Sequence, residues 1–125
     1  MEPNEVITSQ REGGLITVVP LKRITDFPES EVQEQCEGIL EQIENPNIET
    51  VILDMSAVSY FGSTMIKWMV SVWKKLRDRQ GKFIVCNLSP VGLEILETAR
   101  FDKIWSIAKS KSDALMIARG EKVGS

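Results

Sequence analysis

The chain has 125 residues, of which 42% are hydrophobic, enough for one ordinary core and too few for two comfortable domains. Its 15 basic and 18 acidic residues give a formal net charge of -3, which offers no general attraction to nucleic acid or anionic lipid. Histidine is absent, so Ser-His and Cys-His nucleophiles and His-ligated metal sites are excluded, and the two distant cysteines cannot form a zinc site.

The expected location follows from the same features. No apolar run approaches the roughly 20 residues that span a bilayer, and residues 1–10 carry acids instead of a basic segment followed by an apolar one. Cys36 and Cys86 fall at predicted interior positions, which suits free thiols in a reducing compartment. We expect a cytoplasmic single domain over residues 1–125, with its core over about 5–119 and a tail over 120–125, and with neither a membrane nor a direct nucleic-acid partner.

The chain opens with a predicted β-hairpin followed by a helix. Two β-rich runs, residues 6–10 and 15–21, flank Gly13 and Gly14, which can supply the positive φ of a tight turn. Pro28 is the predicted first residue of the helix. The apolar positions of this helix recur at helical spacing and are Val32, Cys36, Ile39, Leu40 and Ile43.

A buried strand and the helix after it form the centre of the predicted fold. Residues 51–53 are a continuous apolar run, typical of a strand covered on both faces, and Asp54 marks its end. A helix over about residues 63–80 follows. Ser63 and Thr64 therefore lie at a helix N-terminus, where unpaired backbone N–H groups and the helix dipole favour negative charge.

Trp68 has an ambiguous position on that helix. One apolar stripe, which we assign to the side facing the sheet, consists of Ile66, Met69, Val70, Trp73 and Leu76. Trp68 falls nearly opposite this stripe. Either Trp68 and Met65 form an exposed docking patch near Ser63, since tryptophan is enriched in interface hot spots, or a neighbouring helix covers Trp68.

The remaining elements continue an alternating pattern. Residues 83–86 form a second buried-type strand, and Ser89 and Pro90 begin a helix as its N-cap and its first residue. Residues 104–107 form a short last strand, and Ser110 caps a final helix. The sequence therefore predicts an α/β fold, a mixed β-sheet built from an opening hairpin and then alternating strands and helices, packed with about four α-helices.

Three enzymatic interpretations of the turn after the central strand are disfavoured by missing residues. A nucleophile elbow requires glycines where Phe61 and Met65 stand, and a phosphate-binding loop requires further glycines and a lysine before Ser63. A receiver-type phosphoacceptor at Asp54 requires an acidic pair at the end of the first strand, and residues 15–24 supply none. Asp54 is instead predicted to hold the turn through hydrogen bonds to the backbone. We expect no catalytic activity, no metal and no cofactor.

A longer pattern resembles a known family. It consists of Asp54-Met55-Ser56-Ala57-Val58, four further residues and Ser63-Thr64, then a long amphipathic helix, Gly81, a strand ending in Asn87, Ser89-Pro90 and Phe101-Asp102-Lys103-Ile104. Over most of the chain this pattern resembles the STAS domain, and most of all the single-domain anti-sigma factor antagonists of bacteria. Their motif is an aspartate, a phosphorylatable serine, a serine or threonine, and then a glycine.

The resemblance implies partner switching that controls transcription. The unmodified domain would bind an anti-sigma factor that is also a serine kinase of the GHKL ATP-binding class, and phosphorylation at Ser63, or less readily at Thr64, would reverse this. A phosphoserine adds roughly -1.5 to -2 charge at neutral pH, which a helix N-terminus tolerates and a protein interface does not. The expected partner-binding residues are Asp54, Ser56, Gly62, Ser63, Thr64, Met65 and Trp68.

Two positions depart from the family motif. Gly62 stands where the motif has aspartate, which removes an N-cap and a carboxylate that a kinase could recognise. Met65 stands where glycine would let the backbone of a partner approach. These departures keep a second hypothesis open, that of a STAS-like scaffold or ligand-binding module that uses the same region without being phosphorylated.

Overall fold

The computed structural model describes residues 5–121, which form one five-stranded sheet with helices on both of its faces. The strands are β1 (Ile7–Glu12), β2 (Leu15–Pro20), β3 (Thr50–Asp54), β4 (Lys82–Cys86) and β5 (Ser106–Ala108). The helices are α1 (Glu29–Ile43), α2 (Ser63–Arg77), α3 (Pro90–Thr98) and α4 (Lys111–Ala118), with short 3-10 helices at Lys22–Asp26 and Phe101–Lys103. The predicted α/β fold is confirmed, whereas residues 122–125 of the predicted tail lie outside the described residues.

The order of the strands in the sheet is β1-β2-β3-β4-β5, the same as their order in the chain. β1 and β2 form the predicted antiparallel hairpin, in which Ile7 lies opposite Pro20 and Gly13 supplies a φ of +62° at the turn. The pairs β2-β3, β3-β4 and β4-β5 are parallel, so each is joined through a crossover that contains a helix. The mixed sheet follows from one hairpin and three such crossovers.

Two hydrophobic cores cover the two faces of the sheet. The larger core joins α1 and α2 to alternate residues of the central strands, including Val51, Leu53 and Val85. The smaller core lies beneath α4 and consists of Ile52, Ile84, Cys86, Ala108 and Ala114. Because β3 and β4 are buried on both faces, both strands are continuously apolar, as their sequences predicted.

The side of α2 that is most deeply buried differs from the predicted stripe. The fully buried residues are Met65, Trp68, Met69, Val72 and Leu76, while Ile66, Val70 and Trp73 are only partly buried. Trp68 is 4% exposed, and its indole N–H donates a hydrogen bond of 3.1 Å to the carbonyl oxygen of Cys36 on α1. Of the two alternatives for Trp68, the exposed patch with Met65 is therefore wrong and the neighbouring helix is confirmed, because α1 packs on the side of α2 that carries Trp68.

Three element boundaries also differ from prediction. α1 begins at Glu29 with Pro28 as its N-cap, one residue later than expected. α2 ends at Arg77, because the backbone N–H groups of Arg79 and Gln80 bond to carbonyl oxygens three residues back, and Gln80 then adopts a left-handed φ of 59°. The last strand is displaced to Ser106–Ala108, since the 3-10 helix extends into a hydrogen bond of 2.8 Å from Trp105 N to Phe101 O.

Gly81 allows the chain to pass closely under the start of β3. A Cβ atom at this position would lie 2.5 Å from the carbonyl oxygen of Glu49, far inside van der Waals contact. Glycine is therefore required at this position because there is no room for a Cβ atom. The residue with a positive φ is the preceding one, Gln80. Among the four helices of residues 5–121, none is long and apolar enough to cross a membrane.

Candidate functional site

The candidate site lies at the edge of the sheet where the parallel strands end. α1 follows the end of β2 and α2 follows the end of β3, so the first turns of both helices lie at this edge. The two helices pack on the same face of the sheet and contact each other. The hydroxyl of Thr64 at the start of α2 donates a hydrogen bond to the carboxylate of Glu29 at the start of α1. This bond joins the two helix starts.

Asp54 organises the turn that leaves β3. Its Oδ1 atom accepts hydrogen bonds from the backbone N–H of Ser56 and from Nδ2 of Asn87, each at 3.0 Å. Asn87 follows β4 in the left-handed region, with a φ of 59°, and its side chain reaches the end of the neighbouring strand β3. The predicted role of Asp54 in holding the turn is confirmed.

The rest of the turn is fixed against α3. The hydroxyl of Ser89 donates a hydrogen bond of 2.6 Å to the carbonyl oxygen of Ser59. Phe61 is buried, and a Cβ atom at Gly92 would lie 3.1 Å from its ring, so α3 approaches this ring closely. The backbone just before α2 is thus held in place, and with it the position of Ser63.

Ser63 is the first residue of α2, and its side chain is exposed. Within residues 5–121 its hydroxyl makes no hydrogen bond, and the first turn of α2 contains no acid. Gly62, the N-cap, is extended at φ -105° and supplies no side-chain cap. A Cβ atom at Gly62 would have no neighbour within 4 Å. The N-terminal end of α2 is therefore open to an added negative group.

The side chains of the two residues after Ser63 make contacts within the fold. Thr64 is half-buried and holds Glu29, as described above. Met65 is 6% exposed and belongs to the larger core, so its bulk points inward. Met65 therefore adds little bulk to the surface that a partner would approach.

A groove opens beside Ser63, between the start of α1 and the turn before α2. It has a volume of about 300 Å³, and its apolar lining consists of Ile24, Phe27, Val32, Val58, Phe61 and Met65. Its polar rim includes Thr25, Glu29 and Thr64. Tyr60, 65% exposed, also lines it. We name this cavity the α1-α2 groove.

The α1-α2 groove and Glu29 were not identified from the sequence. Their residues come from two segments more than 25 positions apart, so no local spacing reveals them. One general rule could have indicated the juxtaposition. Consecutive right-handed crossovers place their helices side by side on one face of a sheet, and both helices begin at the carboxyl edge of the strands.

The two thiols contribute no chemistry to the site. Burial raises the pKa of the Cys36 thiol to about 12, and the carboxylate of Glu37 adds to the shift. Burial also raises the pKa of Cys86 to about 12, with Asp54 adding to the shift and Lys111 opposing it. Both thiols are therefore protonated at neutral pH and are weak nucleophiles. Residues 5–121 contain no cluster of His, Cys, Asp or Glu that could hold a metal ion.

The structure separates the seven predicted site residues into three groups. Ser56, Gly62 and Ser63 are exposed at the edge of the sheet, while Asp54 and Thr64 are half-buried and make the hydrogen bonds described above. Met65 and Trp68 lie in the core.

Comparison with known proteins agrees on one family. A sequence model of the STAS domain matches residues 10–114. BtrV of Bordetella bronchiseptica, provisionally named an anti-sigma factor antagonist, is 31% identical to this chain over 81 residues. The match covers 65% of this chain and 70% of that protein. An anti-sigma factor antagonist (STAS) domain protein from Planctomyces limnophilus is 26% identical, with a TM-score of 0.78, covering 90% of this chain and 97% of that chain.

SpoIIAA from Bacillus, an anti-sigma factor antagonist, is a more distant structural neighbour. In its unphosphorylated form it is 14% identical to this chain, with a TM-score of 0.75, covering 94% of this chain and 99% of that chain. At this identity the likeness shows the fold alone.

Proposed function

The chain belongs to the STAS domain family, and from this membership we propose that it is an anti-sigma factor antagonist whose binding is switched by phosphorylation of Ser63. In the unmodified state the surface around Ser63 binds an anti-sigma factor and so frees a sigma factor for transcription. Phosphorylation releases the anti-sigma factor. The name of BtrV and the Planctomyces limnophilus STAS structure support this function by similarity.

The contrast between Ser63 and Thr64 carries the proposal. The hydroxyl of Ser63 is exposed and makes no hydrogen bond within residues 5–121, whereas that of Thr64 is half-buried and donates to Glu29. A kinase must bring the acceptor oxygen into line with the transferred phosphoryl group. Ser63 can meet this requirement without breaking any contact in the fold, so Ser63 is the acceptor and Thr64 is not.

The start of α2 tolerates the phosphate that the proposal adds. Unpaired backbone N–H groups and the positive end of the helix dipole favour a negative group at this position. Gly62 contributes no side chain that competes for these N–H groups. The folded state therefore survives phosphorylation, while a partner that buries Ser63 has to desolvate about two additional negative charges.

The kinase in this scheme is the partner itself, a serine kinase of the GHKL class that also acts as the anti-sigma factor. The chain contributes the acceptor and no catalytic group, in line with its lack of histidine. SpoIIAA, a member of the same fold, is known in both unphosphorylated and phosphorylated forms.

A second function is favoured by one observation, the glycine at position 62. Without the aspartate of the motif, a kinase loses a recognition carboxylate next to the acceptor. In this alternative the same surface binds a partner or ligand as a passive scaffold, and Ser63 serves only as the first residue of α2.

The two functions are separated by one experiment in two stages. Tagged wild-type protein and the Ser63→Asp variant are used to recover partners from the native cell, and we expect the wild type to recover a protein with a GHKL ATP-binding domain. Recovery by Ser63→Asp should fall about tenfold or more, the equivalent of ~1.4 kcal/mol of repulsion or desolvation. The purified partner with Mg-ATP should then add one phosphate to the wild type.

Matched variants locate the phosphate. Ser63→Ala should remain unmodified, while Thr64→Val, which removes the neighbouring hydroxyl at similar volume, should be modified fully. An unmodified wild type whose binding is insensitive to Ser63→Asp would establish the passive scaffold instead.

A further inference from the structure

We propose that the α1-α2 groove receives an apolar side chain from a positively charged segment of the anti-sigma factor, and that Glu29 pairs with a basic residue of that segment. This inference rests on the proposed function, because it specifies the chemistry of the partner at the same site.

The groove is continuous with the phosphoacceptor. Gly62 and Thr64, the neighbours of Ser63 on either side, both line it. Its floor is made of side chains that are anchored in the larger core, such as Val58 and Phe61, so the cavity is formed before any partner arrives. A volume of about 300 Å³ has room for one large apolar side chain. A partner that covers Ser63 therefore also covers this groove.

The charge around the groove selects a basic partner. α1 lines the groove through Glu29 and Val32, and beyond the groove it carries no base and further acids, at Glu31, Glu34, Glu37 and Glu41. Within residues 5–121 none of these five carboxylates forms an ion pair. α2 carries Lys67 one turn beyond Ser63 and its other bases, Lys74, Lys75 and Arg77, in its last turn. Lys67 does not line the groove, and Glu29 is the only charged residue among the described residues that do. A surface that docks in the groove has to bring positive charge to complement the carboxylate of Glu29.

The same charges explain why a phosphate releases the partner. A phosphate on Ser63 adds roughly -1.5 to -2 charge next to the carboxylate of Glu29, which Thr64 holds at the rim. One basic residue cannot neutralise both groups. Closing the interface would then bury surplus negative charge. This burial opposes binding even though the attraction between the basic residue and one of the two negative groups is favourable.

The charge part of the proposal is tested with the purified anti-sigma factor that the chain recovers from its cell. Glu29→Gln removes the charge but keeps a side-chain oxygen that can accept from Thr64, and it should weaken binding about fivefold. Glu41→Gln makes the same change on the same helix, about 18 Å away, and should leave the dissociation constant unchanged. Raising the salt concentration from about 0.05 to about 0.5 M should weaken the wild type more than Glu29→Gln.

The groove itself is tested by filling it. Thr25→Trp places a large side chain at the rim of the groove and should weaken binding about tenfold or more, while Thr98→Trp, on the exposed side of α3, should not. Thermal unfolding of each variant verifies that it is folded. The double variant Glu29→Gln, Ser63→Asp should bind more tightly than Ser63→Asp alone, because the basic residue then faces one negative charge instead of two.

The outcomes separate the two proposals. If Ser63→Asp weakens binding while Glu29→Gln and Thr25→Trp do not, the switch stands and the groove proposal is overturned. If no anti-sigma factor binds the wild type, both are overturned. A wild-type dimer that Thr25→Trp dissociates would show that a second copy of the chain fills the groove, which also overturns the proposal.

Discussion

The indole N–H of Trp68 donates to the carbonyl oxygen of Cys36 at 3.1 Å and so ties α2 to α1 inside the larger core. Trp105, the other fully buried tryptophan of the described chain, has an indole N–H without a hydrogen-bond partner. The two residues therefore offer a matched comparison of a satisfied and an unsatisfied buried donor.

We expect Trp68→Phe to lower the free energy of unfolding by about 1 kcal/mol more than Trp105→Phe, because only the first change removes a buried hydrogen bond. At position 105 phenylalanine also keeps an aromatic ring to stack on Phe101, at a present centroid distance of 4.4 Å. Urea unfolding of both variants measures the difference. Equal losses would mean that the bond to Cys36 contributes nothing net.

Gln80→Gly is expected to stabilise the protein by about 1 kcal/mol. Gln80 has a φ of 59°, a conformation that is unfavourable for residues with a Cβ atom and free of penalty for glycine. Gln80→Ala is the control, since it shortens the side chain without relieving the backbone. The midpoint temperatures of thermal unfolding of the two variants should differ by several degrees. A Gln80→Gly protein that is no more stable than Gln80→Ala would show that the backbone at Gln80 is not strained.

Gly62→Asp should stabilise α2 by about 0.5–1 kcal/mol at neutral pH, because the new carboxylate can accept from the first backbone N–H groups and lies at the positive end of the helix. The backbone at Gly62 is extended and has open space for a side chain. Gly62→Ala, which adds a Cβ without an acceptor, should not stabilise. Denaturation at pH 7 and at about pH 3 tests the mechanism, since protonation of the carboxylate should remove the gain.

The stability of the protein should fall as the pH rises above about 9. The pKa of Cys36 and that of Cys86 are raised from 9.0 to about 12 in the fold, so between these values the unfolded chain has lost protons that the folded chain retains. Each thiol then lowers the free energy of unfolding by up to about 1.4 kcal/mol per pH unit.

Alanine variants isolate this effect from the titration of lysine and tyrosine. Cys36→Ala and Cys86→Ala should each flatten the decline above pH 9, and the double variant should flatten it most. Urea unfolding between pH 7 and about 10.5 measures the slopes. Identical slopes for the wild type and the double variant would show that the thiols are not responsible.

The sequence predicted those features that depend on local signals. Ser89 accepts from Gly92 N at 2.9 Å and Ser110 from Asp113 N at 3.1 Å, and both caps are visible as a hydroxyl before a helical pattern. The apolar run of β3 needed only its own residues to indicate burial on both faces. The position of Ser63 at a helix start followed in the same way.

Features that depend on packing between distant segments were missed. The sequence of α2 contains apolar residues around more than half of its circumference, so the location of α1 decides that Trp68 is buried and Ile66 is only partly so. The bond between Thr64 and Glu29 joins residues 35 positions apart, and neither residue type is unusual at a helix start. The hydroxyl of Thr64 is engaged by this tertiary contact while that of Ser63 is not, so the difference between the two residues is visible only in the fold.

The strands lie across the sheet in the order in which they occur along the chain, from β1 at one edge to β5 at the other. No strand has to be inserted between two that are already paired, since each one joins the free edge left by the strand before it. A ribosome delivers the chain from its N-terminal end, so the β1-β2 hairpin emerges first and each later strand emerges next to its open neighbour. Synthesis and growth of the sheet thus run in the same direction.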